Sequence, residues 1–321
     1  MNKLDIKDKK ILYELDQCSM QTNKQIAKKV GLSEMVVGNR IKNLLENKII
    51  DKFFIKTNAS VLKLNHIKIY FRLQNLTQSK EKELLKKLKR QKGILWIGSC
   101  RGKYDLVVSL QIKNIKKFSK KYEELFNDWQ EYIWNKTVII SESATSFTKA
   151  YLLENKKSKE ITYSEKNQKK ASLDSTDKKI LKILSRNSRE TYVNMGSKVN
   201  LSADAINYRI KNLIKNNIIS GSGVKINFEK IGNNYYILPL KFQNLNSKQI
   251  LNLKNFALNN KNTIIFIKTI GEHDFELEVE TQTKKELDSL LENLKKYFIK
   301  DLKDYEIIEI TKEHLLNYFN F

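Results

Sequence analysis

The sequence predicts an α+β fold in which two helix-turn-helix domains alternate with two βαββαβ modules. Three observations carry this reading. The chain repeats itself at a fixed offset of 169 residues. Each copy opens on helical periodicity and then changes to strand-like alternation. Each copy also holds a Gly or Asn between two short helices, where a tight turn needs a residue that tolerates positive φ.

The repeat is read residue by residue. Leu4 and Asp5 recur as Leu173 and Asp174, the run 8–12 recurs at 177–181, and 40–44 recurs at 209–213. Over residues 4–50 against 173–219, 22 of 47 positions are identical without a gap. The same offset lays Gly102, Tyr104 and Asp105 on Gly271, His273 and Asp274. The expected organisation is a helical domain at 1–58, a βαββαβ domain at 59–153, a Lys-, Ser-, Asn- and Gln-rich linker at 154–172, a second helical domain at 173–227 and a second βαββαβ domain at 228–321.

In the first copy Ile6, Ile11, Leu12 and Leu15 share one helix stripe, with Asp5 at the N-terminal end, where a carboxylate complements the helix dipole. A short helix follows from Thr22 through Val30 and stops at Gly31; the second copy has Asn200 there. Ala27, matched by Gly196, is small enough for close helix approach. Ser33, matched by Ser202, is the expected N-cap of a third helix running to about Asn47. Ile49, Ile50 and Phe53 to Ile55 read as a short strand. Next, Ile67, Ile69, Phe71 and Leu73 alternate with Lys68, Tyr70, Arg72 and Gln74, the pattern of a half-buried strand. A Lys-rich amphipathic helix is expected near 80–91, strands near 94–100 and 106–111, a helix near 114–128 and a strand near 137–140. Pro239 falls within the corresponding first strand of the second copy and predicts a local irregularity there.

Composition limits the function classes. Of 321 residues, 60 are Lys or Arg and 36 Asp or Glu, a formal net charge of +24. So basic a chain points to a polyanion, with nucleic acid the leading candidate. Mean hydropathy is −0.52. No apolar run reaches about 18 residues, so no membrane span is expected, and the start lacks the apolar core of a secretory signal. Two cysteines and three scattered histidines give neither a disulfide framework nor metal-ligand spacing. A cytoplasmic protein without cofactor or metal is the expectation.

Laid out at 100° per residue, the third helix puts Val37, Ile41 and Leu44 inward. Met35, Asn39, Lys42 and Glu46 point outward, flanked by Gly38 and Asn43. In the second copy the outward set is Asp204, Tyr208, Lys211 and Lys215, flanked by Asn207 and Asn212. Asn pairs bidentately with adenine, and Lys reaches guanine or a phosphate, so these residues with Ser33 and Ser202 are the candidate DNA contacts. Arg40 and Arg209 sit on the shoulder of the helix. They fit either a phosphate clamp or a salt bridge to an acid on the first helix.

Charge also separates the two βαββαβ domains: residues 59–153 carry net +11 and residues 228–321 net −1. Glu276, Glu278 and Glu280 alternate with Phe275, Leu277 and Val279, so one sheet face bears a carboxylate row. The equivalent face of the first copy carries Lys68 and Arg72. The expectation is that these faces pack together within one chain, unlike charges favouring unlike modules.

The order of modules, with Leu4, Asp5, Asp8, Ile11 and Leu12, then Ser33, Arg40, Ile41, Leu44, Ile49 and Ile50, and the turn Gly102, Tyr104, Asp105, resembles the Lrp/AsnC (feast/famine) family of transcriptional regulators, here in tandem duplicate. The resemblance implies winged-helix-like DNA-binding domains and ferredoxin-like, RAM-type effector and assembly domains. It implies an amino-acid effector near Gly102, Tyr104, Asp105, Gly271 and Asp274, although His273 departs from the family's aromatic. Members usually dimerise, so two fused units imply an intramolecular pseudo-dimer, with further assembly left open. Its recognition helices would enter successive major grooves about 34–36 Å apart. Because the outward faces differ, an asymmetric site is expected. Two other readings stand beside it: an enzyme like the siroheme decarboxylases, which share this architecture, and a general architectural DNA binder.

Overall fold

The computed structural model describes residues 4–154, 156–163, 172–243 and 245–320. The first helical domain comprises α1 (Ile6–Gln17), α2 (Asn23–Val30) and α3 (Glu34–Glu46), followed by strand β1 (Ile50–Thr57). The first α/β domain runs β2 (Asn65–Leu73), α4 (Gln78–Arg90), β3 (Ile94–Arg101), β4 (Leu106–Ile112), α5 (Phe118–Phe126) and β5 (Ile133–Phe147). A short β6 (Glu160–Tyr163) pairs with β5. Part of the expected linker is therefore sheet, and residues 155 and 164–171 of it lie outside the described residues. The second half repeats the order: α6 (Ser175–Leu184), α7 (Tyr192–Val199), α8 (Ala203–Lys215), β7 (Ile219–Ile226), β8 (Asn234–Phe242), α9 (Ser247–Asn259), β9 (Thr263–Ile270), β10 (Phe275–Thr281), α10 (Lys284–Tyr297), β11 (Leu302–Tyr305) and β12 (Ile308–Leu316). This is the α+β architecture that the sequence predicts.

Local chemistry sets the helix ends. Asp5 and Asp174 each close a reciprocal cap with the acid three residues on. Ser33 and Ser202 accept the Val36 and Ala205 amide protons. Gly31 and Asn200 hold the turn at φ 68° and 59°, the left-handed geometry expected of them. Ile6 departs from its stripe and is 56% exposed: it is the first residue of α1, beyond the reach of the α2–α3 core.

The two α/β sheets close on each other. In the first, β5, β2, β4 and β3 lie side by side; in the second, β12, β8, β10 and β9 do. β3 pairs with β12 and β9 with β5, so eight antiparallel strands form a continuous ring. A closed ring leaves no free edge among those strands. Outside it, α4 and α5 cover Ile67, Ile69 and Phe71, and α9 and α10 cover Leu238, Leu277 and Val279. β8 changes partner at the expected place: Tyr235–Ile237 pair with β12, residues 240–242 pair with β11, and the Pro239 carbonyl between them accepts the Glu306 N–H.

The helical domains are joined by their connecting strands. β1 and β7 pair antiparallel with Phe54 opposite Gly223, positions separated by the repeat offset. β7 packs on α1 and β1 on α6, so each unit's strand supports the other unit's helices.

Candidate DNA interface and the barrel interior

Both third helices bury one stripe and expose the other. Val37, Ile41 and Leu44 are buried in α3, and Ile206, Ile210 and Leu213 in α8. On the open face of α3, Met35 is 73% exposed, and Asn39, Lys42 and Asn43 are exposed. On α8, Tyr208 is 68% exposed, with Asp204 and Lys211 exposed beside it. Gly38, Asn207 and Asn212 are half-buried at the flanks. Lys42 makes only a loose contact with Glu46 at 3.9 Å, both side chains largely exposed. The Ser33 and Ser202 hydroxyls are committed as acceptors to their caps, which leaves each its own proton to donate.

For Arg40 and Arg209 the observed partners are the acids. Arg40 Nη1 lies 2.7 Å from Asp5 Oδ2 and from Asp8 Oδ1. Arg209 Nη1 repeats this with Asp174 at 2.7 Å and Asp177 at 2.8 Å. Each guanidinium thus ties the third helix to the cap of the first.

Direct contacts join the two helical domains. The hydroxyls of Ser19 and Ser188, equivalent positions, lie 2.6 Å apart. The Arg189 guanidinium donates to the Ser19 and Gln21 carbonyls and to Asn23 Oδ1. At the turn between β3 and β4, Lys103 Nζ stands 2.9 Å from Glu272, again equivalent positions. A dimer of identical chains would put like charge against like there; a fused chain can place unlike residues instead.

The expected effector residues mainly brace their turns. Gly102 and Gly271 have φ of 122° and 149°. Asp105 Oδ2 accepts the Leu73 N–H and Asp274 Oδ2 the Phe242 N–H, both at 2.8 Å. Tyr104 is buried, its hydroxyl 2.9 Å from Thr137 Oγ1. The space beside Tyr104 and His273 amounts to about 70 Å³.

Within the ring the two sheets meet through charge, as the carboxylate row suggests. Lys68, 2% exposed, pairs with Glu276 and lies 3.0 Å from Glu278. The Tyr70 hydroxyl donates to Glu276 at 2.7 Å, and His273 Nε2 lies 2.8 Å from the same oxygen. Burial alone would raise the Glu276 carboxyl, but Lys68 and His273 outweigh it and hold it at about 2. Two parts of the expectation are corrected. Arg72 turns away to Asp105 and the Gly102 carbonyl, because it lies at the end of β2 beside that turn. Glu280 is met instead by Lys149 and Tyr151. Sequence reading missed these two, with Tyr235 on Glu278 and Trp96 on Glu313. A lone Lys, Tyr or Trp carries no signal of a partner that lies from 43 to 217 residues away.

Among the described residues no three His, Cys, Asp or Glu gather as a metal site, and no helix is long and apolar enough to cross a membrane.

Residues 4–51 match a winged helix-turn-helix DNA-binding model, and residues 173–214 match the AsnC-type helix-turn-helix domain. The transcriptional regulator LrpA of Bacillus subtilis is 32% identical over 130 residues, covering 39% of this chain and 91% of that protein. The chain belongs to the Lrp/AsnC family. The regulator FL11 of Pyrococcus furiosus is also 32% identical, over 116 residues, covering 36% of this chain and 76% of that one. Such relatives span about one of the two units, so this Lrp/AsnC protein carries the family's DNA-binding transcriptional regulator architecture twice. The structure of the siroheme decarboxylase NirDL matches across the whole length, with a TM-score of 0.63 and 11% identity over 99% of this chain and 94% of that one. At that identity the likeness is one of fold.

Proposed function

We propose that this Lrp/AsnC regulator acts as a one-chain pseudo-dimer that grips an asymmetric site on double-stranded DNA. The observation that carries the reading is the pair of unlike, exposed third-helix faces on domains joined at equivalent positions, Ser19 to Ser188 and Phe54 to Gly223. Met35, Gly38, Asn39, Lys42 and Asn43 read one half-site; Asp204, Asn207, Tyr208, Lys211 and Asn212 read the other. Ser33 and Ser202 give their free protons to flanking phosphates. Arg40 and Arg209 hold the reading helices in place. Selection from random duplexes followed by footprinting tests this: two unlike protected half-sites are expected. Uniform protection would favour a general architectural binder.

An effector response fits the family, but the turn residues support it weakly. Gly102, Tyr104, Asp105, Gly271 and Asp274 serve the turn, and the space beside them, about 70 Å³, is small against the ~300–1,000 Å³ of sites for drug-sized ligands. A thermal-shift panel of free amino acids, repeated on Asp105→Asn, checks that site. The decarboxylase-like fold gives the enzyme reading its only footing, and mixing the chain with an iron tetrapyrrole tests it. A shifted visible band with saturable binding would move the conclusion to that chemistry.

A further inference from the structure

A second cavity, of about 250 Å³, lies where the helical domains meet the ring. Its walls include Asp16 of α1, Phe54 and Lys56 of β1, and Gly223 of β7, together with inward residues of the ring strands. Four lysines line it, and three hold acids. Lys68 pairs with Glu276 and Glu278, Lys149 with Glu280, and Lys225 with Asp51 and Glu313. Lys56 is different. It is 9% exposed, and no described residue lies within ion-pair or hydrogen-bond distance of its ammonium group. Burial pulls its titration down to about 8, against the more distant attraction of Asp16. The Asp16 carboxylate itself accepts the Lys149 N–H at 2.8 Å. Two further lining atoms, His66 Nε2 and Ser141 Oγ, are buried without a partner.

Buried polar atoms are satisfied in nearly all folded proteins, and an unpaired buried ammonium is costly. Two such buried atoms and a lysine without an ion-pair partner among the described residues, all around one space, therefore describe a site shaped for a ligand. The ligand's chemistry follows from what is uncommitted. The free cation asks for an anion. Of the cavity acids, Glu278, Glu280 and Glu313 are met by lysine, tyrosine or tryptophan side chains, Glu142 by Lys268 and Asp16 by the Lys149 backbone N–H, so none stands wholly unmet as the Lys56 ammonium does. Phe54, Leu95 and Ile264 supply an apolar wall. The volume falls below the ~300–1,000 Å³ of sites for drug-sized ligands, so the molecule is small.

We propose that this cavity binds a small monocarboxylate, its carboxylate on Lys56 Nζ, with His66 and Ser141 as further polar contacts and its apolar body against Phe54, Leu95 and Ile264. Such a ligand touches α1, β1 and β7 together with the ring, so its binding would bear on how the helical domains are set. That regulatory part rests on the DNA-binding reading above; the binding part does not.

The test uses the full chain with isovalerate and phenylacetate as probes and isovaleramide as the uncharged control, followed by calorimetry and by the fluorescence of Trp96, which lines the cavity. Saturable binding of at least one carboxylate is expected, at least tenfold tighter than the amide. Lys56→Met should weaken it tenfold or more, and Lys56→Arg should keep part of it. Removing an unpaired buried ammonium should not lower the melting temperature of Lys56→Met. If that variant does misfold, His66→Gln with Ser141→Ala takes its place, with a threefold or greater loss expected. No saturable binding, equal binding of the amide, or full binding by the variants overturns the site. DNA affinity should change at least threefold with the bound carboxylate. An unchanged affinity overturns the coupling alone, whereas failure of the ligand-free chain to bind any duplex overturns the DNA reading and leaves the carboxylate result standing.

Discussion

Arg40 and Arg209 illustrate how a shoulder position on a DNA-facing helix can serve the fold. Their guanidinium groups are occupied by the acids at the start of the first helix. Arg40→Ala should therefore cost about 1 kcal/mol in a chemical melt, in the range of a well-formed exposed ion pair plus a disturbed cap, with DNA affinity of the folded fraction little changed. Lys42→Ala with Lys211→Ala should do the reverse: an unchanged melt, roughly tenfold weaker binding, and a salt slope reduced by about 2. Lys68 belongs to neither class. Lys68→Met strands two carboxylates inside the ring and should cost about 3–5 kcal/mol. Adding Glu276→Gln and Glu278→Gln should return most of it, and a melt that stays low would count against the pairing. Burial also holds His66 and His314 at about 4. Between that value and the ordinary 6.5 the unfolded chain binds more protons, so these residues make stability fall as pH drops from 6.5 toward 4. His66→Gln with His314→Gln should flatten the melting curve over that window.

At the level of elements, capping and turn chemistry follow from nearby residues, and the sequence was accordingly legible there. The first two residues of each repeat, the Gly31 and Asn200 turns and the Ser33 and Ser202 caps all stand where periodicity places them. Gly196 is more tightly constrained than its counterpart Ala27: a Cβ on it would sit 2.3 Å from the Leu201 carbonyl oxygen. Gly196→Ala should cost about 1–3 kcal/mol, read as a lower melting temperature, although the first copy accommodates Ala at that position. Strand β2 shows where local pattern falls short. Its alternation reads as half-buried, yet Lys68 and Tyr70 are as buried as Ile69. The polar face is covered by the other sheet, whose acids lie some two hundred residues along the chain. β5 extends over Ile133–Phe147, well beyond the stretch expected, because its far end finds a partner in β9 rather than in its own unit.

For the whole molecule, fusion changes what symmetry permits. Two identical chains must place each residue opposite its own copy at the axis. Here Phe54 faces Gly223, and Lys103 faces Glu272. The Phe54 ring approaches within 3.3 Å of where a Gly223 Cβ would stand, a large-to-small fit available only to unlike halves. Charge is divided in the same way, with Lys68 on one inner sheet and Glu276 and Glu278 facing it from the other. Reversing Glu276, Glu278 and Glu280 to Lys should open the ring, read as a larger hydrodynamic radius and a lower melting temperature. On DNA, binding should weaken steeply between low and physiological salt, as several phosphates are neutralised at once.

The sequence by itself determined the duplication, the fold class, the helix caps, the outward sets of both third helices and the opposed charges of the two sheets. Each of these is a property of neighbours along the chain or of a repeat visible in it. The tertiary structure alone decided that Arg40 and Arg209 brace rather than reach outward and that Arg72 leaves the charge network. It also decided that the ring closes over a cavity in which Lys56 has no partner among the described residues. Those outcomes depend on which distant groups arrive within a few ångströms, and no local spacing encodes that.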